Sequence, residues 1–308
     1  MRRRIAAVLA LTGSALLCGT LIGCGPAGQQ PSTDPPVPLP TPTETLDHGR
    51  LSQQGPPPFV VRYDSTELRI AAAGWCWNSG CADGIDLDPP SIGSPDDVLV
   101  FIPDFDLLTA VQVSGERYTC DSRTLDAKTE DLGGGWWRVT PQGPADDYTV
   151  DLFASQGGGD VLAPPGGSGD MFASLRWTTT ADAPLPEPEA SLVLVVNHDG
   201  EPDSYGLELS VANLAQTPAE YSATITVTAA NGKSRTFEAR PAEHCPGAGW
   251  LFFDEPDSEA LAAARLGDFP FTYRVELVVD GATHVATAEY TGDEDGIDVP
   301  LEFEPALN

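Results

Sequence analysis

From Phe59 onward the chain reads as short stretches in which apolar and polar residues alternate, separated by turn residues. A period of two is the mark of a strand with one buried and one wet face. It is clearest at 221–229, where Tyr221, Ala223, Ile225 and Val227 share one face and Ser222, Thr224, Thr226 and Thr228 the other. Asn231-Gly232 follows, a dipeptide suited to a type I′ hairpin turn, and predicts a partner strand at 234–239. Tyr273, Val275, Leu277 and Val279 alternate with Arg274 and Glu276 in a strand predicted at 271–279, and Asp280-Gly281 then turns the chain into a strand at 284–290. Further strands are predicted at 59–63, 67–73, 98–102, 107–113, 136–140, 148–154, 171–177, 192–196, 207–211 and 250–253. One helix is predicted from about Pro256 to Leu266. Asp254, Glu255, Asp257 and Glu259 crowd its positive end, and Gly267 stands where it should stop.

The Pro-rich link at 183–189 (Ala183-Pro184-Leu185-Pro186-Glu187-Pro188) divides these strands into two sets. Two sets of about seven short strands predict an all-β chain with two β-sandwich domains in tandem, at 59–182 and 190–308, the one short helix lying in the second. The terminal hairpins resemble the last two strands of immunoglobulin-like domains. Tyr148 and Tyr273 stand near the start of the penultimate strand, where such folds place a corner tyrosine. The resemblance implies an immunoglobulin-like topology and no particular activity.

The N-terminal region follows other rules. Arg2, Arg3 and Arg4 precede a nearly continuous apolar run from Ile5 to Leu17, the layout of an export signal over 1–23. Leu21-Ile22-Gly23-Cys24 resembles the lipobox of bacterial lipoproteins. That resemblance implies cleavage before Cys24, a diacylglycerol thioether on its sulfur, and a location at the extracytoplasmic face of the cell membrane. An uncleaved apolar anchor is the alternative, since the run approaches the roughly 20 residues needed to span a bilayer. Residues 24–58, rich in Pro, Thr, Gln and Gly, read as an extended tether of about 3.1 Å per residue.

Charge narrows the partners. The chain carries 16 basic and 46 acidic residues, a net charge of −30, and loss of Arg2 to Arg4 with the signal makes the remainder more acidic still. Nucleic acid is excluded as a partner because phosphate binding needs a basic footprint.

The most distinctive segment is Trp75-Cys76-Trp77-Asn78-Ser79-Gly80-Cys81-Ala82-Asp83-Gly84. It is similar to a motif of secreted lipoproteins from high-GC Gram-positive bacteria, which implies no activity. Trp75 and Trp77 share a face of an extended chain and make either a platform for sugars or an apolar partner, or a cap on a core beside a disulfide. Trp136 and Trp137 are neighbours in a strand, so they point to opposite faces and one of them must lie outside the core. These four indoles are the candidate binding surface. Asp83-Gly84-Ile85-Asp86-Leu87-Asp88 and Asp293-Glu294-Asp295-Gly296-Ile297-Asp298 share an Asp-Gly-Ile-Asp core and read as solvated turns. They lack the glycine and terminal glutamate of a calcium loop, and no metal or cofactor is expected.

No catalytic constellation emerges. His48, His198, His244 and His284 are scattered, and His244-Cys245 lacks companion zinc ligands. Gly166-Gly167-Ser168-Gly169-Asp170 has Asp where a nucleophile elbow needs Gly. Cys18 would leave with the signal and Cys24 would carry lipid, leaving Cys76, Cys81, Cys120 and Cys245. Export places them in an oxidising compartment, where pairing is expected; three connectivities are open. The turn at Asn78-Ser79-Gly80 favours Cys76–Cys81, which makes Cys120–Cys245 a link between the domains. The expectation is a lipid-anchored, non-enzymatic envelope protein with a binding or structural role, a partner being a protein or polysaccharide of the envelope. The alternative is an extracellular hydrolase that uses paired carboxylates on envelope polymer.

Overall fold

The alternating segments do pair into sheets. The computed structural model describes residues 41–51, 55–77, 80–85, 87–103, 105–156, 169–196, 202–243, 245–255, 257–292 and 298–308. The export signal, Cys18, Cys24 and the tether as far as Pro40 lie outside the described residues, as do His198, His244, Gly166 to Ser168 and Asp293 to Ile297.

The first set comprises β1 (Glu44–His48), β2 (Phe59–Tyr63), β3 (Thr66–Ile70), β4 (Gly74–Trp77), β5 (Gly80–Ala82), β6 (Val98–Phe101), β7 (Leu107–Ser114), β8 (Arg123–Asp126), β9 (Lys128–Gly133), β10 (Trp136–Thr140), β11 (Asp147–Gln156) and β12 (Gly169–Thr178). They form two six-stranded sheets, ordered β1-β3-β2-β6-β10-β9 and β5-β4-β12-β11-β7-β8. The inward residues of both enclose one core. Val61, Leu68, Val100 and Val139 come from the first sheet, and Leu108, Val150, Leu152, Leu175 and Trp177 from the second. Tyr148 is buried at the start of β11, and its hydroxyl donates to Pro144 O at 2.6 Å. Burial, with Asp146 adding to it, pushes that phenol's pKa up to about 12.

The second set comprises β13 (Glu189–Val196), β14 (Pro202–Ala212), β15 (Tyr221–Ala229), β16 (Ser234–Ala239), β17 (Leu251–Glu255), α1 (Asp257–Ala264), β18 (Phe271–Val279), β19 (Ala282–Tyr290) and β20 (Asp298–Pro300). Its sheets run β17-β14-β13-β20 and β16-β15-β18-β19. Leu207, Leu209, Ile225, Phe253, Phe271, Tyr273 and Val275 fill the core between them, and Ala260 and Ala263 of α1 join it. The described residues are therefore all-β, in two sandwiches with one short helix. Among the described residues no helix is long and apolar enough to cross a membrane.

One strand departs from the sequence reading. Glu44–His48, inside the stretch read as tether, pairs in parallel with β3 from Glu44↔Thr66 to His48↔Ile70. Four of its five residues are exposed, so it adds little apolar burial. Backbone bonds to an open sheet edge hold it, continued by Thr43 N to Ser65 O (2.7 Å) and Ala71 N to His48 O (2.9 Å).

Candidate functional site at the junction of the sandwiches

Both expected disulfides are present. Cys76–Cys81 closes the β4–β5 hairpin across directly opposed residues, with Cα atoms 4.1 Å apart. Cys120–Cys245 joins the β7–β8 loop to the β16–β17 loop, Cα to Cα 5.1 Å, and so ties one sandwich to the other.

The junction around that second disulfide is built mostly from backbone. Ser122 is buried, and its carbonyl accepts from Ala248 N at 2.7 Å. Gly247 sits beside it at φ +124°, where an added Cβ would stand 2.8 Å from Ser122 O, so only glycine permits this approach. Arg123 reaches across with its planar fork, Nη1 donating to Leu214 O (3.1 Å) and Nη2 to Ala215 O (3.2 Å). The Pro-rich link is pinned as well. Gly143 N donates to Pro184 O (3.0 Å) and Ala183 N to Gly143 O (2.8 Å), while Asn213 Nδ2 donates to Glu187 O (3.2 Å).

Beside these contacts lies a cleft of about 440 Å³, within the range of ligand-binding clefts. Val113, Arg117 and Tyr118 line it from the first sandwich, and Pro246, Trp250 and Phe252 from the second. Val113 points away from its own core yet is 5% exposed. Trp250 spends its polar edge on Ser210, Nε1 donating to Oγ at 2.8 Å, which leaves the indole ring to form wall. Arg117 is held by Asp151, Nη2 to Oδ2 2.6 Å, and Asp151 also accepts from Ser174 Oγ at 2.7 Å. Tyr118 stands at the lip, 95% exposed and with φ +65°, a conformation that costs a bulky residue free energy and persists only where its surroundings impose it. Cys120, two residues on, is clamped by the disulfide.

No protein-family model and no curated protein matches this chain.

The indoles singled out in the sequence do not form one surface. Trp75, Trp77 and Trp137 all pack against the first core, Trp77 stacking on Phe105 with ring centres 5.2 Å apart. Trp136 alone turns outward, against Phe101 and under Arg62. Tyr118, Trp250, Phe252 and Arg123 escaped the sequence reading. A signal for two of them was there: in Trp250-Leu251-Phe252-Phe253 the inward residues Leu251 and Phe253 are apolar, and so are the outward ones. A strand apolar on both faces needs a second cover.

Among the described residues no group of three or more His, Cys, Asp or Glu is placed to hold a metal. Within the acidic turns, Asp86 and Asp293 to Ile297 lie outside the described residues. His284 is buried, its Nδ1 2.7 Å from Pro305 O. One carboxyl among those described has a raised pKa. Glu208 lies in a cross-strand row with Asp254 and Asp298, and burial first, then those two charges, disfavours its ionised form. The folded state therefore binds this proton more tightly than the unfolded chain does. Ionised Glu208 costs stability above its folded pKa, and the cost disappears as pH falls to the ordinary carboxyl range. Glu208→Gln is expected to raise the melting temperature at pH 7 and to leave it unchanged near pH 4, as followed by circular dichroism.

Proposed function

We propose that this chain is a lipid-anchored protein of the extracytoplasmic face of the cell membrane, acting in the envelope by binding rather than by catalysis. The observation that carries the reading is the cleft between two sandwiches tied by Cys120–Cys245, because domain junctions with apolar walls and a few placed polar groups are where ligands bind. Two disulfides support an exported protein, since such bonds persist outside the reducing cytosol. Leu21-Ile22-Gly23-Cys24 supports the anchor.

The strand order supports the immunoglobulin-like reading. In the first sandwich β2, β6, β10 and β9 stand as strands A, B, E and D of such a domain, and β7, β11 and β12 as C, F and G. In the second, β13, β14 and β17 stand as A, B and E, and β15, β18 and β19 as C, F and G. Tyr148, with its bond back to Pro144, takes the corner position.

The test uses the chain with its own signal in a bacterium that lipidates exported proteins. Wild-type protein should sediment with membranes, and Cys24→Ser should move it to the soluble fraction. Cys24→Ser protein that still resists extraction would mean that the apolar run is itself the anchor. In the same cells, chemical crosslinking should join wild-type protein to an envelope component, and Trp250→Ala should lose that product. Its survival in Trp250→Ala would remove the cleft from the reading. The hydrolase reading has one observation in its favour, the raised pKa of Glu208 beside Asp254, and loss of polymer cleavage in Glu208→Gln would establish it.

A further inference from the structure

The outer face of the first sheet carries a second hollow, separate from the junction cleft. Arg69, Val60, Phe101 and Trp136 stand in register across β3, β2, β6 and β10, and Glu67, Arg62, Leu99 and Arg138 form the next row on the same face. The Phe101 and Trp136 ring centres are 5.0 Å apart, and the Arg62 guanidinium lies 4.8 Å from the Trp136 ring centre. Pro57, Pro58 and Pro103 wall the space, which measures about 280 Å³.

Its floor is unusual for the wet side of a sheet. Glu67 is only 6% exposed, and its two oxygens take Arg62 Nε at 2.9 Å and Arg69 Nε at 3.2 Å. Burying a carboxylate costs desolvation that two guanidinium groups offset only with fixed geometry. What the arrangement achieves is a pair of rigidly held donors next to an indole.

We propose that this hollow binds a sugar ring of an uncharged polysaccharide. A pyranose has a face of C–H bonds and a rim of hydroxyls that each donate and accept. Trp136 and Phe101 offer flat apolar surface to the face. The guanidinium groups of Arg62 and Arg69, held in place by Glu67, donate to adjacent hydroxyls on the rim. The volume is just under the roughly 300 Å³ at which clefts for larger ligands begin, which suits one ring of a chain running on across the sheet.

Charge decides against an anionic polymer. Glu67 neutralises part of the Arg62 and Arg69 charge, Asp47 stands beside Arg69 on β1, and Arg138 is held by Glu130 (2.9 Å) and Asp97 (3.8 Å). The chain as a whole, at −30, repels polyanions. The proposal does not depend on the junction cleft.

The experiment uses the full chain in detergent micelles on an array of neutral oligosaccharides, namely glucans, mannans, galactans, arabinans and N-acetylglucosamine polymers, with polygalacturonate and dextran sulfate as anionic probes. Wild-type protein should bind at least one neutral series. Trp136→Ala should weaken that binding about tenfold or more, as expected for loss of an aromatic stacking partner, with its melting temperature little changed. Trp136→Phe should recover part of the affinity, and Glu67→Gln should weaken it. Binding to no neutral glycan, binding to the anionic probes alone, or binding equal in wild type and Trp136→Ala would each overturn the proposal.

Discussion

Trp177→Ala is expected to destabilise the first sandwich by about 4 kcal/mol, the range for deleting a fully buried large aromatic side chain. Trp177 is 1% exposed and among the largest fully buried side chains of the chain. It lies on β12 opposite Tyr148 of β11, so its ring closes the same end of the core as the corner tyrosine. Two costs add. The cavity left behind is lined by side chains fixed on two sheets, which relax only in part. The indole also donates Nε1 to Pro95 O at 3.0 Å, and that carbonyl would lose its partner. The second sandwich has its own core and shares none of these contacts. Calorimetry should therefore show one transition lowered and the other close to its original temperature. Trp136→Ala is the internal comparison, since an outward indole should cost far less. Equal losses in the two variants would mean that the Trp177 ring packs no better than an outward indole.

The second large effect concerns the cross-link. Replacing Cys120 and Cys245 together by serine is expected to lower stability by about 4 to 5 kcal/mol in the chain-entropy model, because the loop it closes is long. The two cysteines are 125 residues apart. The loss falls on the unfolded chain, which gains freedom, and the junction itself should persist. Arg123 still holds Leu214 and Ala215, Ala248 still donates to Ser122, and Gly143 still holds the link. Denaturant titration measures the first effect. X-ray scattering measures the second and should give nearly the same radius of gyration. A variant that expands markedly would show that the disulfide alone sets the angle between the sandwiches.

How much of this was legible beforehand depends on what holds each element. The predicted strands at 59–63, 136–140, 221–229, 234–239 and 271–279 coincide with β2, β10, β15, β16 and β18. Each pairs an apolar face with a core, so burial writes its pattern into the residues. The helix was foreseen from its acidic start and lies within the predicted span. β1 and β9 were not legible. Glu44-Thr45-Leu46-Asp47-His48 and Lys128-Thr129-Glu130-Asp131-Leu132-Gly133 are edge strands held by backbone bonds, and backbone bonds leave no side-chain signature. A covalent connection between the domains was legible because three cysteines stand on one side of the link and one on the other, and the turn at Asn78-Ser79-Gly80 favoured Cys76 with Cys81 among the three connectivities. The junction cleft was not, since Tyr118 and Trp250 meet only through the packing of two separately folded cores. For Trp136 and Trp137 the sequence required one indole to leave the core, and which one it was depended on the register of β10 against β6 and β9.

The Cys120–Cys245 bond also makes a closed covalent ring of the chain between those residues, and the Pro-rich link lies on that ring. A protease that cuts once anywhere between the two cysteines opens the ring and releases nothing. Both sandwiches stay joined, through the disulfide, to whatever holds the N-terminal end. Shedding the second sandwich by a cut in the link would take reduction as well as hydrolysis, so the Pro-rich link is a poor place for a protease to detach one domain from the other.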